Sequence, residues 1–142
     1  MRYQKIVRDG VPIFWEKKGP TTIDRQLPIV DERERACIRE KSEKALKRRY
    51  ILRTGVNIKS LIRYFAVTKG EDDVRMVYDA KANQLNDAVW VPSFWLPTVE
   101  SLVRSVDVNT WMMDRDIGDM FLNFQLHYLA MPFTGVDLRP LY

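Results

Sequence analysis

The sequence contains one cysteine, Cys37, and one histidine, His127. An internal disulfide and a cysteine-based zinc site within the chain are therefore excluded, and Cys37 reads as an ordinary reduced thiol on a helix. Also missing are any apolar run approaching about 18 residues and, in the opening MRYQKIVRDG, the apolar stretch of a secretory signal, so the expectation is a soluble, intracellular chain with no membrane partner. With 142 residues and 46% hydrophobic content, one modest core can be buried, which predicts one domain or a piece of one.

Acidic residues are scarce in the first half. Residues 1–70 hold 18 Lys/Arg against 8 Asp/Glu, a net +10, whereas residues 71–142 hold 5 against 11, a net −6. The first half suits a polyanion and the second a cation. Basic halves are often only solvated surface, but segregation this strong raises the expectation of a nucleic-acid or nucleotide partner.

Residues 1–30 carry Gly10, Pro12, Gly19, Pro20 and Pro28 between short apolar pieces such as VPIFW, which predicts an irregular lead-in with at most one short strand. From Asp31 to about Tyr50, DERERACIREKSEKALKRRY has no Gly or Pro, an acidic start and a basic finish, so a helix is expected, terminated near Gly55. LIRYFAVTKGEDDVRMVYD then predicts a hairpin, with strands over roughly 61–68 and 74–79. On the second strand Val74, Met76 and Tyr78 face one side, and Arg75, Val77 and Asp79 the other. Residues 80–97 read as a long connection whose aromatics, Trp90, Phe94 and Trp95, pack onto the body or stack on a base. TVESLVRSV, 98–106, has helical spacing, and a strand through NTWMMDRD, 109–116, is expected to follow.

That strand delivers Asp114, Asp116 and Asp119 beside Met120, Phe121, Leu122 and Phe124. Three readings compete: a surface turn bent at Gly118, the Asp-x-Asp pair of a metal-dependent phosphohydrolase or phosphotransferase, and part of a Mg²⁺ site facing a triphosphate. The last is chemically sufficient because Mg²⁺ takes few carboxylates and keeps water or phosphate oxygens as ligands. Lys69 and Arg75 on the hairpin supply the cations that phosphoryl transfer requires.

From about Lys44 to Leu126 the sequence resembles the reverse transcriptases of retroelements and retroviruses. ALKRRYI and NIKSLIRYFAVTKGEDDVRMVYD resemble the family's fingers, a helix leading into a strand F-A-V-x-K and a return strand R-x-x-x-D. LNDAVWVPSFWLPTVESLV resembles the L-N … L-P-x-(I/V)-(D/E)-x-L segment that follows, and DIGDMFLNFQL the first catalytic palm motif. The four stand in the family's order. The resemblance implies an α/β (α+β) fold that is part of a polymerase right hand, with residues 1–30 as lead-in and 31–142 as a partial reverse transcriptase domain. It gives Asp116 the role of metal-binding catalytic aspartate, with the Ile117 carbonyl as a further metal ligand for Mg²⁺ or Mn²⁺. Asp119 and Met120 line the triphosphate pocket, largely through main-chain N–H groups. Phe121 packs under the sugar of a deoxynucleoside triphosphate and leaves no room for a 2′-hydroxyl. Lys69 and Arg75 hold phosphates, and Asp79 is the acid closing the return strand. The implied partners are an RNA/DNA template-primer and the remainder of a polymerase chain.

The sequence departs from the family in three places. Between Asp79 and Leu85–Asn86 the chain is longer than the retroviral pattern, so Lys81 and Asn83 receive no role. Asp114 lies outside the family site in the register that places Phe121, Phe124 and Leu126, and is either a supporting acid or the ligand of a shifted register. No paired acids follow Phe121, only Asp137, whereas a two-metal site needs partner acids. The chain therefore reads as the fingers and first palm strand of a longer polymerase, inactive in isolation, or as a decayed, non-catalytic relic that binds nucleic acid. The basic stretch 33–63 either tracks a nucleic-acid backbone or is solvated surface. His127 reads as a packing residue.

Overall fold

A computed structural model describes residues 3–54, 57–71 and 73–142. It is a mixed α and β structure whose only strands, among the described residues, form one two-stranded antiparallel sheet. Helix α1 spans Tyr3–Asp9, α2 Glu32–Lys47, strand β1 Arg63–Lys69, β2 Asp73–Asp79, and the short helices α3 and α4 span Leu85–Ala88 and Val99–Val103. Three 3₁₀ turns follow, at Met120–Asn123, Met131–Phe133 and Arg139–Leu141. No helix is long and apolar enough to cross a membrane among the described residues.

Helix α2 forms where the expected one lay, and for the expected reasons. The Asp31 carboxylate caps its start, accepting from the main-chain N–H groups of Arg33 at 2.8 Å and Glu34 at 3.1 Å. Glu32 and Glu34 occupy the first turn, and Lys44 and Lys47 the last. Its end differs from the expectation. Gly55 lies outside the described residues, and the helix closes earlier, at Arg49, which takes a left-handed φ of 59°. The Arg49 N–H donates to the Leu46 carbonyl at 3.0 Å and the Tyr50 N–H to Ala45 at 2.9 Å, so two carbonyls otherwise left open by the helix end are satisfied.

The hairpin also matches. Its register runs from Arg63 opposite Asp79 to Lys69 opposite Asp73, and Gly70 turns the chain with a φ of 71°. Tyr64, Ala66, Val74 and Met76 share the inner face, against which Ile38 of α2 and Leu141 of the last 3₁₀ turn pack. Ile38, Tyr64 and Leu141 are almost fully buried. A two-stranded hairpin is marginal alone, and this covering helix and C-terminal segment supply the burial it lacks. Two polar clasps fix the arrangement. The Gln26 side-chain amide donates to the Tyr64 carbonyl at 2.8 Å and accepts from the Tyr64 N–H at 2.9 Å, pairing with the free edge of β1 as a third strand would. The Tyr64 hydroxyl donates to the Asp137 carbonyl at 2.9 Å.

Elsewhere the structure differs from the sequence expectation. The lead-in contains α1, because residues 3–9 hold neither Gly nor Pro and no punctuation interrupts them. After it, Val11 bridges to Leu126 and Trp15 to Val89, and the Trp15 and Phe133 rings meet at 4.6 Å. The aromatics of 80–97 do not pack as anchors. Trp90 meets Phe14 edge-on at 6.1 Å, but Phe94 is exposed and Trp95 is 99% exposed. Helix α4 is shorter than expected, starting at the Thr98 cap and ending at Val103. The strand expected over 109–116 is not formed. A strand exists through its pairing, and no described segment pairs with these residues, all of which are exposed.

Candidate nucleotide-binding site

The period-two geometry of the hairpin places Lys69 and Arg75 on the same outer face of the sheet, diagonal across the β1–β2 register near the turn. Lys69 stands opposite Asp73, whose charge is engaged: Asp73 Oδ1 lies 2.7 Å from Lys41 Nζ on α2 and accepts the Val74 N–H at 2.8 Å. The Lys41 ammonium, first of all, holds this carboxyl below its ordinary range against the opposing burial penalty, with the Val74 N–H and Lys69 acting in the same direction as Lys41. At the far end of β2, Asp79 accepts the N–H groups of Lys81 at 3.2 Å and Ala82 at 2.9 Å. That side chain caps the turn leaving the strand.

The carboxylate-bearing segment is built differently. Asp114, Asp116 and Ile117 are exposed in irregular backbone. Asp119 takes a left-handed φ of 53° and opens the 3₁₀ turn Met120–Asn123. The Asn123 side-chain amide donates back to the Asp119 carbonyl at 3.1 Å and to that of Gly118 at 3.3 Å, which sets the shape of the turn. Phe121 points away from any cover, 88% exposed. An ion pair ties this turn to α2: Asp119 Oδ2 lies 3.2 Å from a guanidinium nitrogen of Arg48, at the C-terminal cap of the helix.

Lys41 and Arg48 are thus the site residues that motif reading overlooked. They stand seven residues apart, two turns along one side of α2, one reaching the hairpin at Asp73 and the other reaching Asp119. That spacing was the available signal. Its meaning depended on knowing which acids lay opposite. Lys69 and Arg75 are brought together; no hydrogen bond or ion pair among the described residues joins either to Asp116 or Phe121. No three His, Cys, Asp or Glu side chains converge as a metal-binding group among the described residues. Asp116 and the Ile117 carbonyl therefore offer Mg²⁺ part of a coordination shell only, and the residues do not by themselves fit a bound ion.

No protein-family model matches the chain, and no curated protein matches it.

Proposed function

We propose that this chain is the fingers and first palm portion of an RNA-directed DNA polymerase, contributing to templated nucleotidyl transfer onto a DNA 3′-hydroxyl from deoxynucleoside triphosphates. The observation that supports this best is the double tether of α2. One helix holds both the phosphate-facing hairpin, through Lys41–Asp73, and the DIGD turn, through Arg48–Asp119. In the proposed role Lys69 and Arg75 contact the triphosphate, Asp119 and Met120 border it through main-chain N–H groups, and Phe121 lies under the sugar. Asp116 contributes one carboxylate to a Mg²⁺-dependent chemistry whose other acids this segment does not carry, so the isolated chain is not expected to polymerise. The template-primer partner is a polyanion, which the basic stretch 33–63 suits.

The test is nucleotide binding by the chain as it stands. A deoxynucleoside triphosphate should shift the amide resonances of the hairpin around Lys69 and Arg75 and of the turn at 119–121, and Lys69→Ala with Arg75→Ala should abolish those shifts. Shifts that survive the double substitution overturn the assignment. A second reading, a nucleic-acid-binding relic without catalysis, is favoured by the exposure of Asp116 and Phe121. It predicts that a template-primer duplex binds with steep salt dependence while triphosphate perturbs neither the hairpin nor the turn.

A further inference from the structure

Helix α1 and the segment 125–128, which follows the turn Met120–Asn123 in the chain, form a second constellation. Their mutual position is fixed by main chain. The Val11 N–H donates to the Gln125 carbonyl at 2.7 Å, and the His127 N–H donates to the Val11 carbonyl at 2.9 Å, giving a short parallel bridge directly after α1. Gly10 makes this approach possible. Its φ is 91°, and a Cβ there would lie 2.7 Å from the His127 nitrogen.

Between the two elements lies an open cleft of about 570 Å³, lined on one side by Lys5, Arg8 and Asp9 and on the other by Gln125, His127 and Tyr128. Its charges are unbalanced toward donors. The one carboxylate, Asp9, pairs with its neighbour Arg8 at 2.9 Å, so those two charges offset each other and the net positive charge of the cleft comes from Lys5, which makes no ion pair among the described residues. His127 Nδ1 accepts the Leu129 N–H at 3.2 Å, so in the neutral ring the proton sits on Nε2, as a further donor. Beside these donors the His127 and Tyr128 rings stack, centroids 4.5 Å apart and planes 30° apart, and Tyr128 is 68% exposed.

Cationic and N–H donors beside an open aromatic face match a ligand with an anionic group and a planar ring. We propose that this cleft binds a nucleoside phosphate, with Lys5 and Arg8 at the phosphate and the Tyr128–His127 pair under the base. The ligand is either a free nucleotide or one unit of a single strand. The groups proposed to touch the ligand, Lys5, Arg8, His127 and Tyr128, all lie outside the hairpin and the DIGDMFLNFQL stretch, so the proposal does not rest on the polymerase reading.

The experiment is a titration of the full ¹⁵N-labelled chain with thymidine monophosphate, inorganic phosphate and a short thymidine oligonucleotide in separate arms, following amide shifts. The expected result is saturable shifts at α1 and 125–128, with thymidine monophosphate binding more tightly than phosphate. Tyr128→Ala should weaken the nucleotide roughly tenfold while Tyr128→Phe preserves it, and Lys5→Ala should weaken nucleotide and phosphate alike. Tighter binding of the oligonucleotide than of the mononucleotide identifies a strand as the ligand, and equal binding identifies a free nucleotide. Absence of shifts at α1 and 125–128, phosphate binding as tightly as the nucleotide, or an unchanged affinity in Tyr128→Ala overturns the proposal. Shifts confined to Lys69, Arg75 and 119–121 would do so while leaving the hairpin assignment standing.

Discussion

The body made by α2, the hairpin and the C-terminal turn contrasts with residues 91–125. In the body, Ile38, Tyr64 and Leu141 are withdrawn from water and every strand residue has a cross-strand partner. From 91 to 125 all residues are exposed, including Trp95, Trp111 and Phe121. Both regions are rich in large apolar side chains, so composition does not separate them; the availability of a surface to pack against does. The consequence for the candidate site is direct. Lys69 and Arg75 sit on a scaffold that fixes them, whereas Asp116 and Phe121 sit on a segment held to the body at Asp119 by an ion pair. Chemistry at a nucleotide's phosphates requires groups held to within a fraction of an ångström, so the second half of the site needs further packing before it can act.

The sharpest way to break the contrast is truncation on each side of it. Ile38→Ala removes a fully buried side chain and should lower the unfolding free energy by about 2 to 4 kcal/mol in urea titration. Trp111→Ala deletes a larger, exposed side chain and should change it by less than about 0.5 kcal/mol. Equal effects would show that residues 91–125 are packed in solution and that the two regions are not distinct.

Alkali probes the same core without substitution. Burial, then the nearby Asp137 and Tyr78, pushes the Tyr64 phenol up to about 12. An unfolded tyrosine ionises near 10, so folding favours the neutral phenol and its contribution is fully present below about pH 10. It is lost as the pH rises from 10 toward 12, a loss on the order of 2 kcal/mol in the unfolding free energy across that window. Tyr64→Phe should be less stable at neutral pH through the lost bond to Asp137 but lose the larger part of the slope between those pH values, the remainder coming from Tyr78 and Tyr142, whose phenols burial also pushes up. A variant that keeps the wild-type alkaline slope would assign the effect to another group.

How much of this was legible in the sequence follows the same division. Helix α2 and the hairpin could be read because their signals are local: an Asp cap, helix formers without interruption, and alternation around a polar turn. The shared face of Lys69 and Arg75 was not legible there: the sequence puts Lys69 at the hairpin tip, and only the register of the two strands puts it on the face of Arg75. The strand expected over 109–116 failed because strand identity is a property of a pair, and its alternating residues name no partner. Equally non-local were the Gln26 clasp and the burial of Leu141, each set by residues far apart in the chain. Arg48 and Lys41 were visible only as part of a basic stretch; their distinction from other cations in 33–63 lies in what faces them.

The Gln26 clasp belongs to the body although it comes from the lead-in, and Gln26→Ala tests whether the edge of β1 needs it. Two main-chain groups of Tyr64 lose their partners, at a cost of about 1 to 2 kcal/mol in denaturant stability. Hydrogen exchange at the Tyr64 amide should accelerate while that of inward-paired strand amides changes less. Uniform acceleration along both strands would make the clasp part of the global fold rather than an edge seal.

The smallest effect is the most informative about the site. The Arg48–Asp119 pair is half exposed on both sides, so solvent screening limits its contribution and Arg48→Ala should change stability by less than about 1 kcal/mol. Yet it is an ion pair that joins the body to the turn carrying Phe121. Limited proteolysis at 118–124 should therefore quicken several-fold in Arg48→Ala with the denaturant midpoint nearly unmoved, while Lys41→Ala, which releases Asp73 on the body, should leave that cleavage rate alone. In Lys41→Ala the Asp73 carboxyl should instead titrate higher, toward its ordinary range, because the cation that holds it down is gone. The folding contribution of that carboxylate is present above the ordinary carboxyl pKa and is lost as the pH falls through its depressed value, so the variant's acid transition should flatten. If Arg48→Ala leaves cleavage at 118–124 unchanged, the turn is held by something other than α2, and the double tether no longer supports a shared site.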